Sequence, residues 1–215
     1  MNPDLGEVAL LVAVIVPSVI LHEVSHGWAA LAFGDDTAKR AGRLTLNPIA
    51  HVDPFGTVIL PLLLALSGFG VFGFAKPVPV NPRRMRNPRQ HSLYVSLAGP
   101  AMNIAIAMVA AAMLRSTSGV LIRGDSFFLE DTLFVRVLFF TGLLNVLLAL
   151  FNLLPIPPLD GSAVVERLLP ERWLPRYHQL RAYSMVGLLV VVLFVLPRLG
   201  ASVAEPALWV WGRFL

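Results

Sequence analysis

Long apolar runs separated by short polar loops make up most of this chain. Runs over about 8–33, 92–114 and 132–154 are each long enough to cross a bilayer, which takes about 20 apolar residues. A shorter run covers about 182–196, and Gly34-Asp35-Asp36 stops the first. The tail, 201–215, carries Trp209 and Trp211. It reads either as a short span or as an interfacial helix with an aromatic anchor. The pattern predicts an all-α polytopic membrane protein.

The stretch 55–75 is ambiguous. It is apolar enough to cross, but Pro61, Ser67, Gly68, Gly70 and Gly73 interrupt it. Basic residues flank both ends: Lys39, Arg40 and Arg43 before it, and Lys76, Arg83, Arg84, Arg86 and Arg89 after it. A single crossing would put one basic cluster outside, whereas a re-entrant hairpin keeps both inside. Residues 116–131 hold one cation, Arg123, against Asp125, Glu130 and Asp131, and 155–181 hold Arg167, Arg172, Arg176 and Arg181. The N-terminus and 116–131 are therefore expected outside, with 34–91 and 155–181 inside.

Composition agrees. The 215 residues are 56% hydrophobic and only 14% charged, with a mean hydropathy of +0.73, against about 25% charged in ordinary soluble domains. The net charge of +4 sits in loops beside apolar runs, so it argues for membrane topology rather than nucleic-acid binding. No cysteine is present, which excludes disulfides and leaves His, Asp and Glu as zinc ligands. Met1-Asn2-Pro3-Asp4 has no basic n-region, so a cleaved signal peptide is not expected.

Ionisable side chains at membrane depth are costly and mark function. The first span holds His22-Glu23-Val24-Ser25-His26, an H-E-x-x-H pattern. Residues four apart share a helical face, so His22 and His26 can grip one metal ion while Glu23, on the flank, serves as the base of a metalloprotease. Chance yields roughly 0.003 such matches in a chain of this composition. A catalytic zinc needs a third protein ligand. Asp160 is placed at the same depth, yet it can equally cap a helix beginning at Gly161 or form an Asp-Gly turn. His51 and Asp53 lie in a loop, and Glu166 lies beyond the proline-rich break at 155–158.

Three motifs together carry a resemblance. His22-Glu23-Val24-Ser25-His26 with Ala30, then Gly99-Pro100-Ala101-Met102-Asn103, then Asn152 to Pro155 followed by Leu159-Asp160-Gly161, resemble in order the motifs of the site-2 protease family of intramembrane zinc metalloproteases. The resemblance covers roughly 10–165, with no inserted PDZ or CBS domain. It implies one Zn2+ per chain, with Asp160 as third ligand beside His22 and His26 and with Glu23 catalytic. It also implies single-span membrane proteins as substrates, cut in or near the bilayer of a prokaryotic plasma membrane and reached from the cytoplasmic side.

The expected architecture is a three-helix catalytic core, a re-entrant or β-hairpin segment, and one or two C-terminal spans, divided as 1–165 and 166–215. Asn152 and Asn103 are expected either to bridge helices or to hold a substrate carbonyl or oxyanion. Asn145 and Thr141 read as helix-packing contacts, and His51, Asp53, His91 and His178 as loop or interface residues. Arg43 to Asn47 alternates like a strand whose edge can pair an unwound substrate. Pro17 falls inside the first helix, where it should kink or loosen it.

Two rival readings remain. A prenyl-protein-type metallopeptidase would use a Glu, such as Glu166, as third ligand. A non-enzymatic metal carrier would tolerate loss of Glu23.

Overall fold

The computed structural model describes residues 5–60, 74–117, 120–123, 126–129, 132–191 and 205–215. Three helices are long and apolar enough to span a membrane: α1 (Leu5–Ala32), α3 (Pro88–Arg115) and α4 (Leu133–Asn152). A helix satisfies its backbone polar groups internally, as the bilayer interior demands. Side chains mark their starts: Asn87 accepts from Gln90 N at the head of α3, and Thr132 accepts from Val135 N at the head of α4. α1 is one continuous helix through Pro17.

α3 and α4 pack on one another through small residues of α3. Ala107, Ala110 and Ala111 of α3 are buried against Val135, Leu138, Phe139 and Val146 of α4, since small side chains let helix backbones approach closely. Part of the tail joins this core. The C-terminal helix, Glu205–Phe214, buries Trp211 completely, and a Cβ on Gly142 of α4 would fall 1.9 Å from its ring. Trp211 is therefore a packing wedge rather than an interfacial anchor, while Trp209 is exposed with the Arg213 guanidinium over its ring. Leu215 O accepts from Arg115 Nε at 3.1 Å, which places the chain end beside the end of α3.

Between the spans lie shorter pieces. Thr37–Arg40 forms a single turn, α2. A two-stranded antiparallel ribbon, β1 (Val120–Arg123) and β2 (Ser126–Leu129), connects α3 to α4. After α4 come α5 (Ser162–Leu168), α6 (Leu174–Ala182) and α7 (Ser184–Val190). The last part of the expected fourth span, 192–196, lies outside the described residues.

The expected strand at Arg43 to Asn47 does not form. Leu44 and Thr45 lie in a bend, Thr45 O is taken by His51 Nε2 at 2.9 Å, and the Asn47 side chain caps the turn Pro48–His51. The carbonyl a ladder would use is already bonded. The turn of the expected re-entrant hairpin, 61–73, lies outside the described residues, but its two ends meet. Phe74 N donates to Gly56 O and Thr57 Oγ1 to Phe74 O, each at 3.0 Å, and Lys76 N donates to His51 O at 2.9 Å. A single crossing would part these ends by about 30 Å.

Candidate metal centre

α1 carries His22 and His26 one turn apart, with Nε2 atoms 3.1 Å apart. Asp160 approaches from the loop after α4, its Oδ2 lying 3.1 Å from His22 Nε2 and 3.4 Å from His26 Nε2. Among the described residues these three form the group of side chains able to hold a metal ion together. Glu23 lines the same cleft, whose volume is about 690 Å³.

The loop that delivers Asp160 is closed by a glycine. Gly161 N donates to Asn152 O at 2.6 Å, and a Cβ on Gly161 would sit 2.2 Å from Leu153 O. Only hydrogen fits there, so the chain folds back on the end of α4. A cis bond joins Pro157 to Pro158 on the way. Asp160 does not cap the helix that follows: α5 has Gly161 at its N-cap and no side-chain cap bond. Gly99 makes room on the other side. A Cβ there would be 2.5 Å from both His22 Cε1 and His26 Nε2, so α3 can pass the imidazoles only with glycine at this point.

The chemistry of these atoms fits a cation. His22 Nδ1 is 2.6 Å from Asn103 Oδ1, and His26 Nδ1 is 2.7 Å from Val95 O. Both partners are acceptors, so each Nδ1 carries the imidazole proton and donates, which leaves each Nε2 as a bare lone pair. Asp160 Oδ2 is buried and receives no hydrogen bond. Three lone pairs this close repel unless a proton or a metal ion lies among them. Two imidazole nitrogens and one carboxylate oxygen make a set that suits zinc with a position left open.

The other candidate residues divide. Asn152 lines the cleft and donates through Nδ2 to Leu148 O at 3.0 Å. Asn103 is fully buried, with its amide shared between His22 and Asn145. Of the two roles expected for it, this geometry is that of a bridge between helices. Glu166 lines the cleft wall but binds His178 and Arg181, each at 3.0 Å, and not the histidine pair. His51 and Asp53 hold the loop at 45–56, where the Asp53 carboxylate accepts from Phe55 N and Gly56 N. His91 stacks on Phe33 with centroids 4.2 Å apart.

One wall has no counterpart in the sequence reading. Residues 76–81 run along the cleft, and Val78 N donates to Glu23 Oε2 at 2.9 Å. Arg43 Nη2 donates to Lys76 O at 2.6 Å and Asn81 N donates to Asp35 Oδ2 at 2.6 Å, so the segment is pinned on both sides of Val78. The prolines Pro77, Pro79 and Pro82 are the available signal, since proline favours extended backbone and removes competing N–H donors.

The model of peptidase family M50 matches residues 10–195. The chain belongs to this family, the site-2 protease family. It is 41% identical to YwhC of Bacillus subtilis (strain 168) over 207 residues, covering 92% of this chain and 85% of YwhC. It is 34% identical to Rip2 of Mycolicibacterium smegmatis (strain ATCC 700084 / mc(2)155), covering 95% of this chain and 73% of that protein. Rip2 of Mycobacterium tuberculosis (strain ATCC 25618 / H37Rv) is 33% identical, with 96% and 74% covered. The names of all three class them with the zinc metalloproteases. No solved structure matches the chain. This M50 member is thus a protease of a zinc metalloprotease family and a multi-pass membrane protein.

Proposed function

We propose that this M50 protease is an intramembrane endopeptidase that cuts single-span membrane proteins in or near the bilayer, with His22, His26 and Asp160 as metal ligands and Glu23 as the catalytic base. The observation that carries the reading is the convergence of two bare Nε2 lone pairs and one buried carboxylate oxygen in the cleft that Glu23 lines. Zinc held there would supply Lewis-acid polarisation of the scissile carbonyl and of the attacking water.

The chain's own groups do the rest. Glu23 takes the proton from the attacking water and passes it to the leaving amine. Asn152, at the cleft edge, offers its amide to the substrate backbone. A transmembrane helix buries its carbonyls in its own hydrogen bonds, so a substrate must unwind before it is cut. The pinned segment 76–81 borders the cleft where such an unwound stretch would lie. The basic loops 34–91 and 155–181 support a cleft that opens on the cytoplasmic side of a plasma membrane, with the N-terminus outside. Residues 1–165 form the catalytic core and 166–215 an accessory C-terminal segment.

The test pairs the wild type with Glu23→Gln, reconstituted in liposomes, and follows bound zinc together with cleavage of tagged single-span proteins. Zinc in both and cutting only by the wild type supports the reading. Equal metal transport by both, with no cutting of any substrate by the wild type, would favour a carrier instead.

A further inference from the structure

We propose that Asn145 is a positioning residue for the metal centre, fixing from α4 which face of the Asn103 amide meets His22. The proposal rests on the reading of His22 as a metal ligand. Asn145 is fully buried and does not touch the cleft; its effect runs through two hydrogen bonds.

The direction of that chain follows from fixed groups. Asn145 Nδ2 lies 2.8 Å from Thr141 O, a backbone carbonyl that can only accept. The same nitrogen is 2.8 Å from Ser18 Oγ, whose proton goes to Val14 O at 2.8 Å. Both contacts require the amide nitrogen on that side, so Asn145 Oδ1 faces Asn103. Asn103 must then present Nδ2 to Asn145, at 2.8 Å, and Oδ1 to His22 Nδ1, at 2.6 Å. An amide oxygen there holds the His22 proton on Nδ1 and leaves Nε2 free toward His26 and Asp160.

An amide turned the other way would put Nδ2 against His22 Nδ1. The proton would then favour Nε2, in the place a metal would take. Carbonyls of Thr141 and Val14 thus settle, two side chains away, whether His22 can ligate. Asn145 also joins the three spanning helices, with Ser18 on α1, Asn103 on α3 and its own backbone on α4.

The experiment measures zinc affinity by chelator competition on the full chain in detergent, for the wild type, Asn145→Leu, and Asn145→Leu combined with Asn103→Asp. Asn145→Leu keeps the side-chain bulk but frees the Asn103 amide to turn. Affinity is expected to fall about 10–100-fold, as for other losses of support behind a histidine ligand. A carboxylate at 103 accepts from His22 Nδ1 in either orientation, so the double variant should recover most of the affinity. A helix-packing role alone would lower thermal stability without this rescue. Unchanged affinity in a folded Asn145→Leu, or no recovery in the double variant, overturns the proposal.

A second measurement needs no variant. The side-chain 15N shifts of His22 in the metal-free wild type at about pH 8 should show a proton on Nδ1, whether or not Nε2 is protonated as well; a bare Nδ1 with the proton on Nε2 alone overturns the proposal. Failure of the wild type to bind zinc would instead count against the metal centre itself, while the 15N result would still decide the role of Asn145.

Discussion

The Glu23 carboxylate accepts a hydrogen bond from Val78 N at 2.9 Å, across 55 positions of sequence. The proposed base is therefore held by the backbone of the segment that borders the cleft. One contact both aims the carboxylate and fixes that segment beside it.

Removing this donor should be visible in turnover. Val78→Pro deletes the N–H in a stretch that already accommodates Pro77 and Pro79. We expect kcat to fall by about tenfold or more, the loss of one oriented charge-assisted bond, with bound zinc unchanged. Parallel zinc analysis and kinetics check this; a kcat equal to wild type would show that Glu23 needs no such restraint.

Ligand identity separates the two metallopeptidase readings. Asp160→Ala should abolish zinc binding, while Glu166→Ala should retain it, since Glu166 is bound by His178 and Arg181. Metal content after dialysis decides. The reverse pattern would support a Glu-type third ligand.

Gly99→Ala removes no ligand, yet its Cβ would press to 2.5 Å from both imidazoles. The rings must turn away, so zinc affinity should drop about tenfold or more, as when ligand orientation is lost. Chelator competition measures it. Affinity within twofold of wild type would mean that α3 can shift aside without disturbing the centre.

Trp211→Ala should act on stability rather than on the site. The ring fills the notch at Gly142 and contacts Phe139, far along α4 from Asn152. The cavity should cost about 3–5 kcal/mol by analogy with other Trp truncations, seen as a lower thermal midpoint in detergent. Zinc per folded molecule should not change; loss of zinc would couple the tail to the metal centre.

The two ends of the 55–75 segment meet at Gly56 and Phe74. Single cysteines introduced at Lys39 and Arg83 should therefore label from the same side of sealed vesicles. Labelling from opposite faces would require a full crossing instead.

Sequence by itself determined the parts governed by local rules. Apolar run length marked the three spanning helices, and a four-residue spacing put His22 and His26 on one helical face. Motif order supplied the family expectation that assigned Asp160. Other features depend on atoms that meet only after folding. Whether Asp160 caps a helix or faces the histidines was decided by Gly161, which admits no side chain where the loop closes on Leu153. The extended wall proved to be 76–81 rather than 43–47, because His51 and Asn47 satisfy the earlier stretch locally while Arg43, Glu23 and Asp35 pin the later one. Asn103 turned inward because Asn145 and His22 meet it from two other helices. Trp211 entered the core because Gly142 leaves a notch on a helix more than sixty residues earlier. Periodicity states which face a residue occupies; only packing states what waits opposite it.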